Sequence, residues 1–305
     1  MKPILSPAST RDFFNFIYER QLIWYKRHVL KLPSPWTADP IMQKYKFCNM
    51  YRELDRCTIY LLTRLQPIKA RPWQLFNIIL FRFFNQDKIF EQLSGPFTRF
   101  EQTEANECKA RLDKLKKSGQ TIFNNAYIIA PAPGFMSKHA GIIANLKKIS
   151  SQLAKLTERL DKADAPADAF IVLRGLPQVG PFLAGEIWTD LSYLKFFKQN
   201  WTDDDFTTVG PGALWGLKIL SGLSRLSPVR QNEILQYLHQ AQRKILPKIF
   251  SDVTDNLNWN DIAYRPAFSN APWLSLTNIE GALCEFRKYT NLKNGHGRRR
   301  YFKNN

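Results

Sequence analysis

Residues 170–185 read Phe170-Ile171-Val172-Leu173-Arg174-Gly175-Leu176-Pro177-Gln178-Val179-Gly180-Pro181-Phe182-Leu183-Ala184-Gly185. A short apolar helix enters, a Gly-rich turn follows, and a second helix leaves with Pro181 at its first position, where a missing N–H costs nothing. Gly175 and Gly180 permit a tight turn, so a β-branched residue at Gly180 is expected to strain it. The N–H groups of Val179 and Gly180 stand at a helix N-terminus, a setting that suits a phosphate. The competing reading is an ordinary helical turn. The two glycines have the spacing of a phosphate-binding P-loop, yet Pro181-Phe182 stands where Lys-Ser/Thr must follow, which excludes a P-loop kinase at this place.

The helical pattern continues outward on both sides. Residues 137–160 form an amphipathic helix, whole or broken once, and 161–166 a polar hinge where any lobe boundary is expected. Residues 73–84 are apolar nearly all round, as a buried helix is, whereas 103–117 are charged and surface-like. Asp39-Pro40 is a strong helix start. It opens a long helix over 40–65, with Ile41, Tyr45, Cys48, Leu61, Leu62 and Leu65 inward and Asn49, Arg52 and Arg56 as a polar stripe. A first helix, capped by Ser9 or Thr10, runs to about residue 28 with Phe13, Phe16, Ile17 and Trp24 on one face. Residues 122–130 read equally as strand or helix. The fold class is mainly α, one helical domain over 1–292 followed by a basic tail over 293–305.

Lys and Arg number 44 against 26 Asp and Glu, a net charge of +18 in 305 residues. With 44% hydrophobic residues the chain has ample material for a core, which excludes a disordered basic protein. The charge points to a polyanionic partner, nucleic acid before an anionic membrane face; solubility alone is the competing reading. No apolar run approaches the ~20 residues of a membrane span, and Met1–Pro7 holds no signal core. The expected location is intracellular: the cytoplasm, that of a bacterial host if the source is viral, or the nucleus if it is eukaryotic. Four cysteines and four histidines lie scattered without a C-x-x-C pair, so no metal site or other cofactor is expected and the thiols read as reduced.

A second segment, Trp201-Thr202-Asp203-Asp204-Asp205-Phe206-Thr207-Thr208-Val209-Gly210-Pro211-Gly212-Ala213-Leu214-Trp215, sets three carboxylates before a Gly-Pro-Gly helix start. Gly210 and Gly212 would form another backbone cradle for an anion. Either one of the three acts as a general base, its pKa raised by its neighbours, or all three are helix cap and solvated charge.

The first stretch resembles the helix-hairpin-helix element of the DNA glycosylase superfamily. Three blocks in chain order, 16–56, 170–217 and 279–289, together resemble the helical family of alpha-glutamyl/putrescinyl thymine pyrophosphorylases, or amino acid:DNA transferases. That family also includes the 5-hydroxymethyl-deoxyuridine DNA kinase helical domain. The blocks carry Phe16-Ile17-Tyr18-Glu19-Arg20, Pro35-Trp36-Thr37-Ala38-Asp39-Pro40, Gly210-Pro211-Gly212-Ala213 and Ile279-Glu280-Gly281-Ala282-Leu283-Cys284-Glu285-Phe286. The resemblance implies a DNA-glycosylase-like helical fold and thymine hypermodification in bacterial viruses. A separate P-loop DNA kinase would phosphorylate 5-hydroxymethyluracil in duplex DNA. The transferase would then exchange the phosphate or pyrophosphate for an amine or amino acid, with the target base extruded.

On that reading the base is Asp204 or Asp205, with Asp203 as the helix cap and Asp190, Glu19 and Glu285 as the other carboxylates. Arg20, Arg27, Arg52, Arg56 and Lys288 hold phosphate, Trp36 stacks on the extruded base, and Arg298, Arg299 and Arg300 grip the DNA backbone. Against these stand surface ion pairs for the arginines, a packing lid for Trp36 and a solubilising tail. Phe182 replaces the Schiff-base lysine of lyase-type glycosylases, which argues against an imine, and Cys284 reads as core. Two other functions stay open: a non-catalytic DNA-binding module serving the kinase, and a glycosylase that excises a modified thymine.

Overall fold

The computed structural model describes residues 5–125, 127, 129–250, 256–265, 272–297 and 301. Among these the chain forms α1 (Pro7–His28), α2 (Pro40–Lys44), α3 (Arg56–Leu65), α4 (Arg71–Phe84), α5 (Asp87–Gln92), α6 (Gln102–Lys117) and α7 (Lys138–Ser150). It continues through α8 (Leu153–Asp161), α9 (Pro166–Arg174), α10 (Pro181–Tyr193), α11 (Pro211–Ser221), α12 (Pro228–Ile245), α13 (Trp259–Ile262) and α14 (Leu276–Lys293). No strand occurs among the described residues; the isolated bridges Tyr45–Tyr301 and Phe250–Asn258 are the extended pairings recorded. The mainly α class read from the sequence is the one observed, and 122–130 holds no regular element among its described residues.

The chain divides into two compact units, Arg56–Phe206 and Met1–Asp55 with Thr207–Asn305. Each has its own hydrophobic core. The polar segment 161–166 joins α8 to α9 inside the first of these, while the chain changes unit at 55/56 and 206/207.

In the unit Arg56–Phe206, α4 is buried from Leu75 to Phe84, as its unbroken apolar pattern requires. α7, α8 and α10 pack against it. The amphipathic run 137–160 breaks at Ser151 into α7 and α8. The turn between α9 and α10 reverses at Gln178, which adopts the left-handed conformation at φ 59°. Its side chain holds the turn by accepting from Asn145 Nδ2 and donating to the Ala130 carbonyl, both at 2.8 Å.

In the other unit α1 starts three or four residues earlier than expected from a cap at Ser9 or Thr10. Ser6 caps it, accepting from the Ser9 N–H at 3.3 Å, and Pro7 takes the first position. α11 lies on α14 because its glycines allow close approach. A Cβ on Gly216 would stand 2.6 Å from the Leu283 carbonyl oxygen, and one on Gly212 2.3 Å from Cys284 Sγ. The long helix expected over 40–65 does not form. α2 ends at Lys44, residues 45–51 are largely extended, a 3-10 turn covers Arg52–Leu54, and α3 begins at Arg56. Long-range partners hold the extended part open: Cys48 N–H donates to Glu285 Oε2 at 3.0 Å and Arg52 N–H to Asn278 Oδ1 at 2.9 Å. Asn49, Arg52 and Arg56 therefore form no helical stripe. No helix among the described residues is long and apolar enough to cross a membrane.

Candidate functional site

The hairpin is less demanding of glycine than its sequence suggests. Gly175 and Gly180 have φ −73° and −79°, values any residue adopts. A Cβ on Gly180 would meet nothing within 4 Å, so the expected strain on substitution is absent. The Val179 N–H is already spent on the Leu176 carbonyl at 3.0 Å, leaving Gly180 at the open, exposed start of α10. Beside it Phe182 is 52% exposed, its ring edge-on to Tyr127 with centroids 4.9 Å apart.

Two turns further along α10, Asp190 is fully buried and accepts from Arg82 Nε at 2.5 Å and Nη2 at 2.6 Å. Arg82 also donates to Asn85 Oδ1 at 2.9 Å and to the Tyr127 hydroxyl at 3.1 Å, and lies 3.4 Å from Glu186. A carboxylate held so completely is a structural anchor between α4 and α10, not a base open to substrate. Arg82 and Glu186 escaped the sequence reading, since they sit inside apolar runs.

The three aspartates also separate by role. Asp203 is buried and accepts from the Tyr193 hydroxyl at 3.3 Å, so it does not cap the following helix. Asp205 closes a local turn, accepting from the Thr202 N–H at 2.7 Å and its hydroxyl at 2.9 Å. Asp204 and Asp205 are both exposed. Arg56, also exposed, pairs with Asp87 at 3.1 Å.

In the unit of Met1–Asp55 with Thr207–Asn305, the Gly210 N–H donates to Glu280 Oε1 at 2.9 Å. The acceptor at this helix start is therefore the chain's own carboxylate, and Gly212 is a spacing residue against Cys284. Arg20, from the first block of sequence, and Glu285 and Lys288, from the third, do come together. Arg20 donates to Asn49 Oδ1 at 2.7 Å and to the Phe47 carbonyl at 3.3 Å; burial lowers its pKa, against the pull of Cys48, Glu285 and Asp55. Lys288 Nζ lies 3.4 Å from Glu285 Oε2, donates to the Lys46 carbonyl and sits 4.6 Å from the Phe47 ring centroid. The Glu285 charge, 3.0 Å from the Cys48 N–H, pushes the exposed Cys48 thiol well up. Cys284, expected in the core, is an exposed residue whose Sγ faces Gly212, and desolvation there pushes its thiol up to about 12. Neither is a ready nucleophile. Arg52 is half-buried in the 3-10 turn, and Arg298, Arg299 and Arg300 lie outside the described residues.

Two of the predicted residues, Glu19 and Trp36, line a cavity of about 910 Å³ formed by α1, the loop before α2, and α14. On α1, Asp12, Glu19 and Lys26 face it at a spacing of seven, two helical turns apart. Thr37 donates to Glu19, and Asp39 caps α2 at 2.7 and 3.0 Å to Ile41 and Met42 N–H while accepting the Tyr289 hydroxyl at 2.6 Å. Burial, the bond to Asp39 and the charges of Asp39, Asp12 and Glu19 all raise the Tyr289 pKa. Trp36 sits on the cavity wall with its indole N–H on the Leu32 carbonyl at 2.7 Å and Arg27 5.2 Å above its ring. Asp12, Asp39 and Tyr289 were missed. The seven-residue polar spacing on α1 was the available signal.

The two units thus define a basic, mainly helical protein with an open helical hairpin in one and a carboxylate-rich cavity in the other. A family model described as "5-hmdU DNA kinase, helical domain" matches residues 8–298, and the chain belongs to that family. The "5-hmdU DNA kinase" of Bacillus phage SP10 is 24% identical over 297 residues, which cover 92% of this chain and 44% of that protein. The chain spans less than half the length of that relative. No solved structure matches it.

Proposed function

We propose that this helical domain binds duplex DNA and exchanges the phosphate of a phosphorylated 5-hydroxymethyluracil for an amine, a separate kinase having supplied the phosphoryl group. One observation carries the reading: in a chain of net charge +18, a cavity of about 910 Å³ presents Asp12, Glu19 and Asp39. A surface suited to DNA repels a protonated amine. Clustered carboxylates give its ammonium a counter-charge and its proton an acceptor.

In the reaction the amine nitrogen bonds to the exocyclic methylene carbon of the uracil. The C–O bond to phosphate breaks, phosphate leaves with the electron pair, and Glu19 or Asp12 takes the nitrogen's proton. Lys26 and Lys293, on the same cavity, neutralise the departing phosphate. The exposed Gly180 end of α10 supports contact with the DNA backbone.

The name of the phage relative, a kinase, favours a second reading: a non-catalytic DNA-holding domain. Nucleoside mass spectrometry separates the two. The protein is incubated with kinase-treated 5-hydroxymethyluracil DNA and a mixture of glycine, glutamate and putrescine. A new amine-bearing nucleoside supports transfer, an unchanged nucleoside pool supports the holding domain, and abasic sites would make the protein a glycosylase.

A further inference from the structure

Trp215 projects from the outer side of α11 and is 55% exposed, a large apolar ring left in water. Two cations approach it. Lys218 Nζ, one turn along α11, lies 5.8 Å from the ring centroid, and Arg287 Cζ, on α14, lies 5.7 Å from it. Neither forms an ion pair or a hydrogen bond among the described residues, and Arg287 Nε is buried without a partner.

An exposed indole between two uncompensated cations matches the chemistry of an unstacked nucleotide. The base stacks on the ring, and lysine and arginine meet the flanking phosphates. We propose that Trp215 is a stacking platform for an unpaired or extruded base of DNA, with Lys218 and Arg287 as its phosphate clamps. The inference rests on the DNA-binding part of the reading above and adds a residue to it. Trp36, whose indole N–H is engaged by the Leu32 carbonyl, is the less available surface.

The test measures binding of a single-stranded oligonucleotide and a fully paired duplex, each carrying 2-aminopurine, by anisotropy and by quenching of the analogue. Trp215→Ala is expected to bind the single strand roughly tenfold or more weakly and to lose the quenching, with duplex affinity changed by less than about twofold. Trp215→Phe restores most of both. Lys218→Ala flattens the salt dependence by roughly 0.7 in log–log slope on the single strand, while Trp215→Ala leaves that slope unchanged.

Wild-type affinity and quenching in Trp215→Ala would overturn the platform and leave the DNA-binding reading standing. So would an equal loss on both DNAs accompanied by a lowered melting temperature. A self-association of the unaltered chain that Trp215→Ala abolishes, with DNA binding intact, would overturn it in favour of a contact between copies. No DNA binding by the unaltered protein would remove both.

Discussion

Replacing Arg82 by Leu tests whether the buried ion pair of α4 and α10 anchors the hairpin. The substitution removes two bonds to Asp190 at 2.5 and 2.6 Å and the donors to Asn85 and Tyr127. It strands a fully buried carboxylate. Breaking such a pair from one side costs about 3–5 kcal/mol. For a unit of this size each kcal/mol lowers the melting temperature by about 2–4 °C, so a fall of roughly 6–20 °C is expected for the transition of Arg56–Phe206. Circular dichroism reads that transition, and hydrogen exchange should show the amides of α4 and α10 losing protection first. The double variant Arg82→Leu/Asp190→Leu, which removes the stranded Asp190 carboxylate but leaves Glu186, Asn85 and Tyr127 without Arg82, should recover part of the loss. A single variant melting within 2 °C of wild type, or a double variant no better than the single, would refute the anchoring role.

Four other outcomes are expected. Gly216→Ala drives a Cβ to 2.6 Å from the Leu283 carbonyl oxygen and should cost about 1–3 kcal/mol, read as a lowered urea midpoint. Gly180→Val, in open space at φ −79°, should lower stability by about 1 kcal/mol at most while weakening DNA binding if the hairpin meets the backbone; a large loss of stability would contradict the observed turn. Cys48 is exposed, yet the Glu285 charge holds its thiol protonated, so alkylation at pH 8 should be slow and should quicken in Glu285→Gln, as peptide mapping would show. DNA affinity should fall with salt at a log–log slope of roughly −0.9 per phosphate contact; a salt-independent affinity would contradict electrostatic binding.

The elements encoded by local pattern were legible. α1 and α4 follow from their apolar faces, the start of α2 from Asp39-Pro40, and the start of α10 from Pro181. The turn before α10, by contrast, reverses at Gln178 rather than at its glycines. What failed depended on partners distant in sequence. Nothing local marks 45–51 as extended, because the groups that hold it there are Glu285 and Asn278, more than 220 residues on. The Gly-Pro-Gly start looked like an empty cradle because its acceptor, Glu280, lies 70 residues away. Asp190 resembled a spare carboxylate until Arg82 was found against it. In the cavity, Glu19 and Trp36 could be named from the resemblance. Asp12 and Tyr289 needed the packing of α1 on α14 to bring them together.

The most direct test of amine exchange follows the nitrogen and the phosphate together. Phosphorylated 5-hydroxymethyluracil DNA is incubated with the protein and a ¹⁵N-labelled amine, and labelled nucleoside and released phosphate are both counted. The expected result is one ¹⁵N retained in DNA per phosphate released for wild type, with transfer lost but DNA affinity kept in an Asp12→Asn/Glu19→Gln variant. Phosphate released without nitrogen retained, or full transfer by that variant, would contradict the assignment of this cavity to the amine.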